Sequence, residues 1–495
     1  MSLLLQEVQV VDGTGAPPFK ADVLVQKNII SAIGNLKSRG ADRVIEGLGD
    51  YLTPGFIDLN TNSDHYLSLF TDPAQSDLTS QGVTTIFGGQ CGSSLAPLIY
   101  GTLESIRKWI DPREVNVNWH TVAEFLKSFK RLPLGINFGT LVGNSTIRRA
   151  LVGDSKRRLT ESELNIFKQL LRDSLAQGAF GFSTGLGYVH GGAASTREIE
   201  ELVRVVKDFD GIYATHLRNE TTKLLDSVNE TIQTAEKTGV RTIISHLRPE
   251  KGFGEQFEKA IEKIESSSAE IYFDVYPLPY SVETIYTLLP EWVRVGSLEM
   301  MLERVKNEGV TPLIKKDWPE LKGEEIEIVG APNHEYLVGK TLAEVAARLE
   351  VGVAEALIQV MKMTELRATV LERNIEVEAL PRALSSGRSF IASNGNAVLP
   401  PSFVKPKESL TVFTKFLELV LQNKSMTIET AIAKLTSGPA KFINPRGSLK
   451  RGVIKEGMTA DLVLLGKNDY GVKKVILGGK LADEEELVGQ VLRRR

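Results

Sequence analysis

The first fifty residues alternate short apolar runs with turns, in LLLQEVQVVDGTG, ADVLVQKNIISAIG and RVIEGLGDYLTPG. Alternation with a period of two, broken by Gly, Asp and Pro, predicts half-buried strands joined as hairpins. The far end has the same texture, in GSLKRGVIKEGMTADLVLLG and VKKVILGGK. The two ends are therefore expected to meet in one small β-sandwich domain, residues 1–54 plus 443–495. Between them, over 55–442, the pattern changes. GVTTIFGG, LGINFGTLVG, GAFGFSTG, GIYATHL, RTIISHL, EIYFDVYP and SFIASNG read as buried strands. Amphipathic stretches such as ESELNIFKQLLRDSLAQG, TREIEELVRVVKDFDG and GEQFEKAIEKIESSS lie between them. Repeated strand–helix units predict a parallel sheet with right-handed crossovers. About eight of them in a chain of this length fit an α/β class (β/α)8 TIM-like barrel. A doubly wound open sheet is the competing architecture, but no glycine-rich phosphate loop opens a first helix. Residues 291–384 are too long for one connection and hold TLAEVAARLEVGVAEALIQVMKMT, so a helical insert or lid is expected there.

Composition narrows the class of function. The 495 residues carry a net charge of −3 with no basic stripe, which gives no footprint for nucleic acid. The terminal RRR reads as a solvated tail. No apolar run approaches the ~20 residues that span a bilayer, so no membrane partner is expected. The single cysteine, Cys91, excludes an internal disulfide framework and fits a reducing compartment. The opening MSLLLQEVQVVDG lacks a basic n-region and reads as a first strand, not a signal peptide. A cytoplasmic location is the expectation.

In a barrel of this kind chemistry sits where strands end. FGGQCGSS brings Cys91 there, IYATHLRNE brings His216, and IISHLRPE brings His246. A thiolate and two imidazoles suit zinc and leave a fourth position for water. A lone buried histidine is more often a hydrogen-bonded core residue, and a lone cysteine a small hydrophobe. A nucleophilic Cys91 paired with either histidine is a third reading, and the pattern alone leaves all three open.

Longer stretches carry a resemblance. LTPGFID, QGVTTIFGGQCGSSLAP, GAFGFSTGLGYVHGGAAST, GIYATHLRNE, ISHL, DVYP, LLPEW and GMTADLVLL run almost end to end. With them the chain resembles the amidohydrolase superfamily, in its D-aminoacylase (N-acyl-D-amino-acid deacylase) branch. The resemblance implies the barrel with its two-ended β-sandwich, and a tightly held zinc ion on Cys91, His216 and His246. It implies hydrolysis of the amide bond of a small N-acyl amino acid or related amide. It also implies substrate contacts from Tyr188, Arg218 and Arg248, the last standing where the family has lysine.

Three positions depart from the family pattern. After GFID the family has His-x-His, where this chain has Asn60 and Asn62; near the last strand it has Ser-Asp-Gly, where this chain has Ser393, Asn394 and Gly395. The resemblance places the second, weaker metal and the general base on those positions. An amide oxygen is a poor replacement for imidazole on zinc, and asparagine at the base position, Asn394, accepts no proton at neutral pH. The expectation is a site with one metal, in which zinc acidifies its own water to about pKa 7 and Asp64 is the nearest proton shuttle. His65 and His190 are further candidates. The alternative is a ligand-binding or regulatory protein that has kept the scaffold without turnover.

Overall fold

The computed structural model describes residues 2–100, 103, 106, 115–153, 155–318, 321–394, 411–482 and 487–494. Both chain ends enter one eight-stranded sheet. Its strand Ser2–Val10 pairs antiparallel with Phe19–Gln26 and shifts register between Leu5 and Val8. Glu7 at that shift has φ 55°. Ahead of the bulge the strand pairs with Arg43–Glu46, and beyond it with Tyr51–Pro54. A bulge bends and twists a strand, so this one turns the sheet over its own core of Leu3, Leu5, Val8, Val23, Leu52, Leu462 and Ile476. The C-terminal strand Leu462–Leu465 joins by pairing with Tyr51–Pro54, as the shared texture of the two ends led us to expect.

The barrel strands are Phe56–Asp58, Val83–Gly88, Asn137–Thr140 with its continuation Val142–Gly143, Gly181–Gly185, Ile212–His216, Arg241–Ile244, Ile271–Val275 and Ser389–Ile391. Among the described residues all their pairings are parallel. The last strand is tied back to the first where Asn394 N donates to Asn60 O at 2.8 Å. Strands buried on both faces need apolar side chains inside and out, which is why they read as unbroken apolar runs. Ile57, Phe87, Phe180, Ile212, Ala214, Ile243 and Phe390 fill the inside, with Phe87 edge-on to Phe180 at 5.0 Å. Each isoleucine or phenylalanine among them contributes about 1.5–3 kcal/mol on burial. The surrounding helices start at caps written in the sequence. Thr160 and Glu163 form a reciprocal capping box ahead of Glu161–Ala176, which buries Leu164, Phe167, Leu171 and Leu175.

Two segments differ from expectation. The insert opens already at Ser281 and is not purely helical. Strands Ser281–Thr284, Ile326–Gly330 and Thr369–Glu372 form an antiparallel three-stranded sheet, and the insert has a hydrophobic core of its own around Ile285, Val305, Ile328, Leu357 and Val370. The C-terminal segment is docked: Gly489 N and Leu492 N each donate at 2.7 Å, to Leu134 O and Phe138 O. Leu492 completes the barrel-floor cluster, so the terminal arginines follow an anchored segment. Arg494 N donates to Gly178 O at 3.1 Å. Among the described residues no helix is long and apolar enough to cross a membrane.

Candidate active site

Three barrel strands deliver the site. His216 is the last residue of Ile212–His216. Cys91 and His246 each lie just past a strand, in left-handed backbone with φ 50° and 39°. Asn394 shares that conformation at φ 46°. L side chains adopt it at a cost of about 1–3 kcal/mol. Three such residues at one mouth mark a place where side-chain direction matters more than backbone ease. Close packing enforces it: a Cβ on Gly185 would lie 2.2 Å from Cys91 O, and one on Gly187 2.7 Å from His216 Nε2.

Cys91 Sγ lies 3.5 Å from His246 Nε2, and His216 Nδ1 lies 2.8 Å from the same nitrogen. All three ligand atoms fall within 4.8 Å of one another. A tetrahedral zinc with usual bond lengths sets S···N at about 3.5 Å and N···N at about 3.3 Å, so the set fits one ion after a small spreading of the imidazoles. The electrostatics fit as well. Burial opposes charge on His246, yet Glu220 and Cys91 raise its proton affinity well above the ordinary imidazole value. Burial would raise the Glu220 carboxyl too, but His216, His246 and Arg248 hold it well below the usual carboxylate range. A centre that draws positive charge this strongly suits a dication.

The positions that the family resemblance gives to a second metal carry asparagines here. Asn60 turns its amide N–H2 to Asp274, at 3.2 Å from both carboxylate oxygens. Asp274 also accepts from His246 N at 2.7 Å, and burial pushes its carboxyl up to about 6. Asn62 Oδ1 lies 3.1 Å from His65 Nδ1, while His65 Nε2 donates to Ser93 O at 2.9 Å. Asn62 and Asn394 line the cavity above the cluster, as neutral amides.

That cavity, about 240 Å³, is also lined by Cys91, Tyr188, His216, Glu220, His246 and a charged wall. The Tyr188 ring lies 4.6 Å from that of His216, and burial keeps its hydroxyl protonated well past its ordinary range. Arg218 is committed. Its Nε and Nη2 donate to Glu230 at 2.7 and 3.1 Å, and its Nη1 and Nη2 to Gly192 O and Ala194 O. Arg248 is clasped by three carboxylates: Glu250 at 2.7 Å, Glu283, and Glu220 at 3.6 Å. Neither guanidinium is open to a substrate carboxylate in this arrangement. Asp64 is fully buried and accepts from Gly89 N at 2.7 Å, bracing the turn ahead of Cys91. It is not among the cavity-lining residues, which removes it from the shuttle role expected of it. The His190 side chain lies outside the described residues.

Sequence reasoning missed Glu220, Glu283, Arg294 and Glu372, all of which line the cavity. Arg294 Nε is buried without a partner, and among the described residues Arg294 forms no ion pair. Burial and the neighbouring Glu283 and Glu250 push Glu372 up to about 7. Glu220 could have been noticed four residues beyond His216. The other three come from the insert, and no local motif marks them.

Comparison with known proteins agrees with this geometry. A model of the amidohydrolase family matches residues 295–482. The chain is 29% identical over 469 residues to a D-aminoacylase of Alcaligenes xylosoxydans xylosoxydans, covering 93% of this chain and 87% of that one. It superposes with TM-score 0.82 at 25% identity, over 99% of both chains, on an N-acyl-D-glutamate deacylase from Bordetella bronchiseptica in complex with zinc and a phosphonate inhibitor. A D-aminoacylase whose binuclear centre is described as showing one-metal activation and second-metal attenuation superposes equally well, at 0.82 and 26% identity over 99% of both chains. Over nearly its whole length the chain is similar to the D-aminoacylases and N-acyl-D-amino-acid deacylases of the amidohydrolase superfamily.

Proposed function

We propose that this amide hydrolase works with a single zinc ion per chain, held by Cys91, His216 and His246, on an N-acyl amino acid or a closely related amide. The observation that carries the reading is the convergence of one thiol and two imidazole nitrogens within 4.8 Å at the cavity floor. When bound, zinc polarises the scissile carbonyl and acidifies a water to about pKa 7, so that no protein carboxylate is needed at position 394. The chain's own residues do the rest. Arg294, whose Nε is buried without a partner among the described residues, receives the substrate carboxylate, in a charge-assisted and geometrically specific contact. The Tyr188 hydroxyl stays protonated and serves as a hydrogen-bond donor at the floor. Asn62 and Asn394 offer neutral amide groups to the substrate rather than ligands to a second ion.

The wall of Glu250, Glu283 and Glu372 around the single guanidinium of Arg248 leaves that side of the cavity net negative. Acidic substrate side chains are disfavoured there and basic or neutral ones favoured, by like-charge repulsion. The test is zinc content per chain together with turnover of a panel of N-acetyl-D-amino acids, by wild type and Cys91→Ala. Turnover that survives complete removal of metal would sink the proposal.

The asparagines at 60, 62 and 394 favour a second reading, a ligand-binding protein without turnover. Asn394→Asp separates the two. Activity gained by this variant from an inert, zinc-loaded wild type would identify a scaffold that has given up catalysis.

A further inference from the structure

Each imidazole at the cluster shows one nitrogen to the centre and the other to Glu220, and they do so with opposite nitrogens. His216 turns Nδ1 inward, 2.8 Å from His246 Nε2, and places Nε2 3.8 Å from Glu220 Oε2. His246 turns Nε2 inward, 3.5 Å from Cys91 Sγ, and places Nδ1 2.9 Å from Glu220 Oε1. An imidazole gives a metal its lone pair only from the nitrogen that carries no proton. The pair must therefore bind in two different tautomers, His216 protonated on Nε2 and His246 on Nδ1. Left to themselves, two neutral imidazoles facing each other would share a proton between their inner nitrogens and spoil one ligand.

We propose that Glu220 is the positioning residue that fixes both metal-binding tautomers at once, and that Arg248 serves as its anchor instead of contacting substrate. The proposal rests on the reading of Cys91, His216 and His246 as a metal centre. One carboxylate has two acceptor oxygens; here Oε1 lies 2.9 Å from the outer nitrogen of His246 and Oε2 3.8 Å from that of His216, both at ion-pair distance and neither aligned as a hydrogen bond. Arg248 stands 3.6 Å behind Oε2. It is held there by Glu250, whose other oxygen accepts from Asn374 Nδ2 at 3.1 Å, and by Glu283, whose other oxygen accepts from Thr287 Oγ1 at 3.0 Å. Glu283, Thr287 and Asn374 belong to or adjoin the inserted sheet and its turns. The chain of charge thus runs from the insert to the ligands, through an arginine that the family resemblance assigned to substrate.

Glutamine at 220 tests this sharply, because it keeps shape but offers one acceptor. Its carbonyl can serve one histidine, while its N–H2 meets the N–H of the other. Partners of this kind govern metal affinity by about 10- to 100-fold. We expect Glu220→Gln to bind zinc about 10- to 100-fold more weakly in competition with a chromophoric chelator. In the cobalt-substituted protein we expect altered d–d bands and a shifted thiolate-to-cobalt charge-transfer band from Cys91. The thermal midpoint of the metal-free variant should stay close to wild type, which separates positioning from a general loss of structure. Glu220→Asp keeps the charge with a shorter reach and should fall between the two. If Glu220→Gln fails to fold, Glu220→Asp decides, by a loss of zinc affinity with changed cobalt spectra. Wild-type affinity and spectra in whichever variant folds would overturn the proposal while leaving the metal centre standing. A wild-type protein that takes up neither zinc nor cobalt would instead remove the metal centre, and this proposal with it.

Discussion

Replacing Arg294 by methionine asks where a substrate carboxylate is held. The cavity is lined by three guanidinium groups, and two are spent on protein partners. Arg218 is bidentate to Glu230, and Arg248 is shared among Glu220, Glu250 and Glu283. Arg294 has a buried Nε with no partner among the described residues, so binding a carboxylate there breaks no ion pair within them. Hydrogen bonds to charged groups contribute about 1.5–3 kcal/mol. At about 1.4 kcal/mol per tenfold, Arg294→Met should lower kcat/KM for an N-acetyl amino acid about 10- to 150-fold. Methionine keeps most of the apolar stem, so packing is largely retained. The same variant should lose no more than about threefold, well under 1 kcal/mol, on the corresponding primary amide, which carries no carboxylate. Steady-state kinetics on the four combinations of enzyme and substrate isolates the interaction as a coupling between side chain and carboxylate. Equal losses on acid and amide would show that Arg294 acts on the shape of the cavity and that the carboxylate is held elsewhere.

Other perturbations probe the remaining parts of the site. Cys91→Ala should keep the fold and reduce zinc from about one per chain to near none by elemental analysis, since two neutral imidazoles alone hold zinc weakly; full occupancy would disprove the ligand assignment. Gly185→Ala places a Cβ 2.2 Å from Cys91 O, so it should cost about 1–3 kcal/mol by overpacking and also weaken zinc binding. A urea midpoint and a chelator competition that both stay at wild-type values would contradict that. Glu372 is raised from 4.5 to about 7 in the folded chain, so the native state holds its proton over a range where the unfolded state has lost it. Its contribution to stability is complete below about pH 4.5 and is lost as pH rises through about 7, amounting to about 3 kcal/mol at most. Glu372→Gln removes this dependence, so the stability difference between variant and wild type should widen in favour of the variant from pH 5 to pH 8. A difference that stays constant in urea titrations over that range would refute the assignment.

Much of this molecule was legible before any coordinates. Buried parallel strands write themselves as short apolar runs closed by glycine, and VTTIFG and the run ending in His216 were recognisable for that reason. The two-ended sheet was legible through its period-two texture. The inserted sheet was not, because Ile326–Gly330 and Thr369–Glu372 are five and four residues long. They sit between strong helical patterns and pair only across long stretches of chain. The same division runs through the site. Cys91, His216 and His246 stand at strand ends, where chain direction alone aims them at one mouth. Glu283, Arg294 and Glu372 reach the cavity through the docking of the insert, which no local spacing encodes. Arg248 was visible as an arginine near the ligands, but its three acidic partners decide what it does, and two of them lie well away from it in sequence.

The asparagine at position 60 shows how a departure from a motif can be read in outline and still be misjudged in effect. As a sequence feature it is a missing ligand. In the fold its amide donates to Asp274 at 3.2 Å, and Asp274 holds the backbone N–H of His246 at 2.7 Å. His246 needs such support, because its φ of 39° is one that an L residue resists. Asn60 also fixes the barrel's closure, taking the Asn394 N–H on its own carbonyl and donating its N–H to Asp58 at 3.0 Å. An imidazole at 60 that reached for a second metal could not also present two N–H groups to the Asp274 carboxylate. In this fold the asparagine therefore serves as a brace under His246, at a position where the family pattern has an imidazole.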